Sequence, residues 1–165
     1  MPSMPTPRSL SYDYASHPDQ VFALLRDPDF LRRRSEAAGE SNVEVEVAET
    51  GDGVRVITAR DKAVDLPAFA KRMFQPQNRI VENTTWRRQG DKWVAEYAIE
   101  IKGIPGEVRG HSTLTPSPTG CRYETRFEVT ARIPLVGGKL EGFVAERIEE
   151  QLRSNAERND AQLKS

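Results

Sequence analysis

Cysteine is almost absent. Cys121 is the only one in 165 residues, which excludes an internal disulfide and any multi-cysteine metal site. Histidine is nearly as scarce: His17 and His111 are the whole set, and neither stands in a zinc spacing such as H-E-x-x-H. No metal site and no cofactor are therefore expected. No run approaches the roughly 18 apolar residues of a membrane span, and the first residues lack an apolar signal core. A cytoplasmic protein without integral membrane association is the expectation. The formal net charge is −1, so no global field attracts a nucleic acid, and none is expected as a partner. The G-x-S-x-G elbow of a serine hydrolase is missing too.

What is present suits one soluble domain with a real core: hydrophobic residues make up 37% of the chain and charged residues 30%. Residues 1–8, MPSMPTPR, are proline-rich without apolar periodicity and predict a mobile leader, leaving 9–165 as the domain. "SLSYDY" reads as a strand. A short helix follows, with Ser16 as its cap, Pro18 in its first turn and Val21, Phe22 and Leu25 on one face. Asp27-Pro28 breaks it, and "DFLRRRSEAAG" predicts a second short helix.

From Asn42 the period becomes two. "VEVEV" and "VRVITAR" predict a hairpin about "TGDG". "RIVENTTWRR" and "KWVAEYAIEI" predict a second, and a turn at Gln89-Gly90 sets Trp86 opposite Trp93, Thr84 opposite Ala95, Glu82 opposite Tyr97 and Ile80 opposite Ile99. Val108, Gly110, Ser112 and Leu114 then share that face. "CRYETRFEVTARI" alternates most cleanly, with Tyr123, Thr125, Phe127, Val129, Ala131 and Ile133 on one side. About Gly138 to Leu163 predicts one helix with a stripe of Leu140, Phe143, Val144, Ile148, Leu152, Ala156 and Leu163.

The stretch "RIPLVGGKLEG" raises the possibility of a phosphate loop, but its spacing fails. The position five residues before Gly138 is Ile133, and Leu140 stands where a magnesium-binding hydroxyl is needed. The run Arg32 to Arg34 points in three directions on a helix and reads as solvated surface. More informative are the polar residues on the inward face: Glu82, Thr84, Tyr97, Ser112, Tyr123 and Thr125 beside Trp86, Ile99, Phe127 and Val129. A filled core disfavours an unpaired carboxylate, whereas a cavity accommodates Glu82, most simply with Tyr97 donating to it. A register slip of one residue would instead turn Glu82 outward.

The order strand, two short helices, β-meander and long C-terminal helix resembles the START/polyketide-cyclase-like (SRPBCC) superfamily. The resemblance is carried by "YDYASHPDQVFALLRDPDF", "TPSPTGCRYETRFEV" and "IPLVGGKLEGFVAERIEEQL", and the "DLPAFAKRMF" segment looks like a bacterial branch without an assigned function. It implies an α+β helix-grip fold, a curved antiparallel sheet wrapped around the last helix and enclosing a cavity. Gly137 and Gly138 are then expected to allow the corner into that helix, and Gly142 to leave room beneath it. Leu140, Phe143 and Val144 join the cavity wall. Pro67, Phe69 and Phe74 are candidates for a lid, with a plain strand connection as the alternative. The expected partner is a small hydrophobic or amphipathic ligand (a lipid, isoprenoid or polyketide-like compound). A cyclase- or hydratase-like enzyme using Glu82 as base and Tyr97 as acid is the first rival, and a protein-interaction adaptor with a vestigial cavity the second. No shared catalytic set exists in the superfamily to carry over, so no residue is assigned a catalytic role.

Overall fold

A computed structural model of the protein describes residues 7–72 and 74–165. Along the chain come β1 (Arg8–Tyr14), α1 (Pro18–Leu25), α2 (Pro28–Ala37), β2 (Ser41–Thr50), β3 (Gly53–Ala63), β4 (Gln77–Gln89), β5 (Lys92–Ile101), β6 (Gly106–Ser117), β7 (Gly120–Ala131) and α3 (Gly137–Leu163). A 3-10 turn at Ala68–Ala70 interrupts the link from β3 to β4. The strands form one antiparallel sheet in the order β1-β7-β6-β5-β4-β3-β2. Each hairpin thus pairs with the next, and β1 crosses over to pair with the last strand. The sheet and α3 together make the expected helix-grip arrangement. Of the expected leader, residues 1–6 lie outside the described residues, while Arg8 already pairs with Phe127 in β1.

Local chemistry explains the two short helices, with one correction. The cap of α1 is His17, not Ser16: its ring nitrogen Nδ1 accepts the Asp19 backbone N–H at 3.1 Å, and Gln20 returns a bond to the His17 N–H. Pro18 fixes the first helical φ and has no N–H to lose, which places the cap directly before it. In α2, Asp27 caps by accepting from the N–H groups of Asp29 and Phe30 ahead of Pro28.

The β4–β5 hairpin turns one position later than the sequence predicts. Gly90 and Asp91 form the tip, with Gly90 at φ 65°, so Gln89 pairs with Lys92. Mirror-image turns demand a left-handed residue at the first central position, which glycine supplies without steric cost. The true partners are therefore Trp86 with Ala95, Thr84 with Tyr97, Glu82 with Ile99 and Ile80 with Ile101. The offset is two residues along one strand, so every side chain keeps its predicted face. Instead of facing each other, the tryptophans grip Phe22 of α1. Trp93 stacks on that ring at 3.7 Å and Trp86 meets its edge at 5.9 Å.

The corner into α3 also differs. Leu135 takes the left-handed conformation, at φ 71°, and is fully exposed, while Gly137 and Gly138 already begin the helix. Gly137 instead permits a close approach, since a Cβ there would lie 3.0 Å from the Ala131 carbonyl oxygen. Gly142 faces open space rather than the sheet.

The core divides in two. One apolar cluster joins Tyr14, Val21, Phe22, Phe30, Trp86 and Leu114 beneath the short helices. The other joins Phe74, Ile80, Ile99, Phe127, Leu140 and Val144 beneath the first half of α3. Between them the space under the helix is only partly filled.

Candidate functional site

The inward faces of β3 to β7 form the floor of this space, because alternation sends Val56, Thr58, Glu82, Thr84, Trp86, Tyr97, Ser112 and Tyr123 to the same side. Toward the short helices they enclose an inner chamber of about 90 Å³, closed by Tyr14, Arg34 of α2, and Leu152, Asn155, Ala156 and Asn159 of α3. Toward the other end lies an outer cleft of about 430 Å³, walled by Phe74, Ile80, Ile99, Ile101, Phe143, Val144 and Ile148, with Lys62, Arg147, Glu150 and Arg158 also in its lining. Six of the residues singled out from the sequence meet in the inner chamber: Glu82, Thr84, Trp86, Tyr97, Ser112 and Tyr123. Ile99, Phe143 and Val144 line the outer cleft. Val129 and Leu140 line a small adjoining gap of about 20 Å³ beside Val144. Thr125 and Phe127 are buried in the wall.

The expected bond from Tyr97 to Glu82 is not made. The Tyr97 hydroxyl lies 2.7 Å from Thr125 Oγ1, and Ser112 Oγ donates to the same oxygen at 3.0 Å. Thr125 gives its own proton to the His111 carbonyl at 3.3 Å, so it accepts from Tyr97. The corrected register explains this: Ser112 and Thr125 are direct cross-strand partners, and Tyr97 sits over Gly110, beside them. A Cβ at position 110 would collide with the Tyr97 ring, so glycine is what lets that ring lie across β6. Burial pushes the Tyr97 phenol well above its ordinary pKa, against the opposing bond from Thr125. Burial likewise raises Tyr123 and Tyr14, so all three remain neutral donors at physiological pH.

Glu82 instead takes part in a charged seam between chamber and cleft. Arg60 of β3 reaches it at 3.2 Å and lies 3.5 Å from Glu40, which precedes β2. Lys62 lies 3.6 Å from Glu40 and donates to Gln151 of α3. Ser35 donates to the other Glu40 oxygen at 2.5 Å. The contact of Arg60 Nε with Glu40 Oε2 is ionic without hydrogen-bond geometry, as both atoms are buried and have no hydrogen-bond partner. Burial pushes the Lys62 ammonium down from its ordinary pKa, and Glu40 opposes that shift.

Arg34 overturns the solvated reading of the triple arginine. Arg32 and Arg33 are exposed, but Arg34 turns inward, donates to Asn159 Oδ1 at 3.0 Å and faces the chamber. Asn159 in turn donates to the Tyr14 hydroxyl at 3.2 Å. Burial lowers the guanidinium pKa and the Glu82 charge counters it. Sequence signals for these residues existed. Arg34 follows Phe30 and Leu31 at helical spacing, Arg60 continues the inward series Val54, Val56, Thr58, and Asn159 interrupts the apolar stripe of α3.

Of the lid candidates, Phe74 is buried and Phe69 is at the surface, and both meet Phe143 edge-on at 6.4 Å. Pro67 precedes the 3-10 turn and accepts from the Ala70 N–H at 2.9 Å. Among the described residues, no His, Cys, Asp and Glu side chains group closely enough to hold a metal ion, and no helix is long and apolar enough to cross a membrane.

A sheet gripping a terminal helix over a two-part interior defines a protein of helix-grip fold. Solved structures carry the same fold. TTHA0849 from Thermus thermophilus superposes with a TM-score of 0.65 at 18% identity, over 95% of this chain and 99% of that one. Ara h 8.0201 gives 0.65 at 10% identity, over 96% and 97%. Norcoclaurine synthase from Thalictrum flavum, solved with dopamine and hydroxybenzaldehyde, gives 0.52 at 10% identity, over 97% and 87%. More particularly, the chain belongs to the DUF2505 family, described as a protein of unknown function, which it matches over residues 9–161. Uncharacterised proteins of Mycobacterium tuberculosis and Mycobacterium bovis are 24% identical over 159 residues, covering 88% of this chain and 89% of each relative.

Proposed function

We propose that the protein binds a hydrophobic or amphipathic small molecule, of lipid, isoprenoid or polyketide-like character, between the sheet and α3. The observation that carries this reading is the partly apolar cleft of about 430 Å³ lying across the charged seam from a smaller polar chamber. Phe74, Ile99, Phe143 and Val144 supply affinity by burying an apolar body, at about 0.8 kcal/mol per methylene removed from water. Tyr123 and its polar neighbours in the chamber orient the other end. The segment carrying Phe69 and Phe74 serves as the rim through which the ligand enters, working in the cytoplasm. Norcoclaurine synthase, which holds small organic molecules on the same fold, supports the reading.

A cyclase- or hydratase-like reaction with Glu82 as base and Tyr97 as acid has less support. Glu82 is engaged by Arg60, and the Tyr97 proton is committed to Thr125. Native mass spectrometry of protein purified from its own host tests the binding reading. A retained molecule of lipid-like mass is the expected result. A consistently empty chain that also fails to respond to candidate lipids would overturn it.

A further inference from the structure

Resting on the ligand-binding reading, we propose that Arg34 is the head-group residue of the site and that the bound molecule ends in a carboxylate. The first observation is an inward guanidinium most of whose donors are unused. Arg34 has one hydrogen bond, to the neutral Asn159, and among the described residues no carboxylate forms an ion pair with it. A guanidinium has five N–H donors, so most of the Arg34 fork is left to face the chamber. The interior carboxylates are already taken: Glu82 by Arg60, and Glu40 by Arg60 and Lys62. Glu82 shares the chamber with Arg34 but gives it no hydrogen bond, being held by Arg60 instead, so the Arg34 donors stay open.

Unused donors on an inward guanidinium are costly, and a bound anion that accepts from them is the remedy. The lining bears on the class of that anion. Glu82 in the same chamber repels a dianion such as a phosphate monoester more strongly than a monoanion. The planar fork of arginine matches a planar carboxylate with two parallel hydrogen bonds. Asn159 holds the guanidinium by its carbonyl oxygen and is itself fixed by Tyr14, so the fork is aimed before the ligand arrives. The Tyr123 hydroxyl, kept protonated by burial, supplies a further donor. The carbon chain is directed toward the outer cleft, past Gln151 and the charged seam, whose gap of about 20 Å³ must widen to admit it.

Isothermal titration calorimetry with decanoate and decanol, which share one tail, tests this. The wild-type protein is expected to bind decanoate at least about tenfold more tightly. Arg34→Gln should bring decanoate down to the decanol level without changing decanol. Arg34→Lys should retain part of the preference. Arg33→Gln removes the same charge from the exposed neighbour and should change nothing. Equal binding of the two probes by the wild type, or a preference surviving Arg34→Gln, would overturn the carboxylate assignment while leaving ligand binding intact. Binding of neither probe would count against both readings. If Arg34→Gln does not fold, wild-type protein with carboxyl-labelled decanoate still decides by NMR. A carboxyl beside Arg34 titrates below its value in water, whereas one buried without a cation titrates above it, which would overturn the assignment.

Discussion

Arg60 reaches Glu82 on the neighbouring strand, Nη1 to Oε2 at 3.2 Å, and this pair divides the interior between a polar chamber and an apolar cleft. Two carboxylates flank this one guanidinium, since Glu40, also paired with Lys62, stands on its other side. Arg60→Met should therefore cost about 3–5 kcal/mol in urea denaturation, because it strands buried charge. Replacing Arg60 and Glu82 together by apolar residues should cost less than Arg60→Met alone. A double variant as unstable as the sum of its parts would show that the pair is not coupled.

Gly110 makes a sharp test of packing. A methyl group at this position meets both the Tyr97 ring and the Arg126 carbonyl oxygen, at 2.7 Å from the latter. Gly110→Ala should lower stability by about 1–3 kcal/mol through overpacking, despite the better strand propensity of alanine. Tyr97→Ala in the same chain should recover only part of that loss, since the backbone oxygen remains. Unchanged denaturation midpoints for Gly110→Ala would contradict the close approach.

Asp19 accepts from the Trp93 indole N–H at 2.9 Å and pairs with Arg88 at 3.1 Å. The indole bond, followed by the Arg88 charge, holds its carboxyl below the ordinary value of 3.8, against a partial opposing effect of burial. A depressed folded value means that the stabilisation is present above the unfolded pKa and is lost as pH falls through the folded one. The Trp93 indole resonance should accordingly shift in acid with a midpoint under 3.8, and Asp19→Asn should abolish the inflection. An inflection at or above that value would refute the assignment.

Cys121 is fully buried at the start of β7, and burial pushes its thiol up to about 11, partly offset by a backbone bond from Thr115. Folded protein at pH 8 should react with a disulfide reagent far more slowly than urea-unfolded protein, which should release one equivalent promptly. Rapid labelling of the native chain would mean that this strand opens readily.

Much of this was legible in the sequence because alternation reports which face a residue takes. Tyr123, Thr125, Phe127 and Val129 share one face as their spacing requires, and Glu82 and Tyr97 both point inward. Alternation does not report how far along a neighbour each strand sits. The turn at Gly90-Asp91 moved Tyr97 from Glu82 to Thr84, and the bond expected between them went with it. Helical residues were harder still. Within the run Arg32, Arg33 and Arg34 only the helical spacing from Phe30 and Leu31 singles out Arg34, and that signal counts once those two residues dock α2 on the core. The glycine pair that opens α3 was a similar case, since the strained backbone of that corner fell to Leu135.

The pairing of β1 with β7 also sets the order of events when the chain is made. Tyr12 bonds to Asp160 at 3.0 Å and Arg8 to Glu149 at 3.2 Å, so the first strand waits for the last helix. Strands β2 to β7 can zip successively as neighbours, but β1 has no partner until β7 is made, and the roof of the chamber does not exist until α3 has left the ribosome. Contacts so remote in sequence slow folding and prolong the exposure of apolar strands. A molecule that fills the interior would then act as a late template, rewarding the closure of the two ends of the chain upon each other.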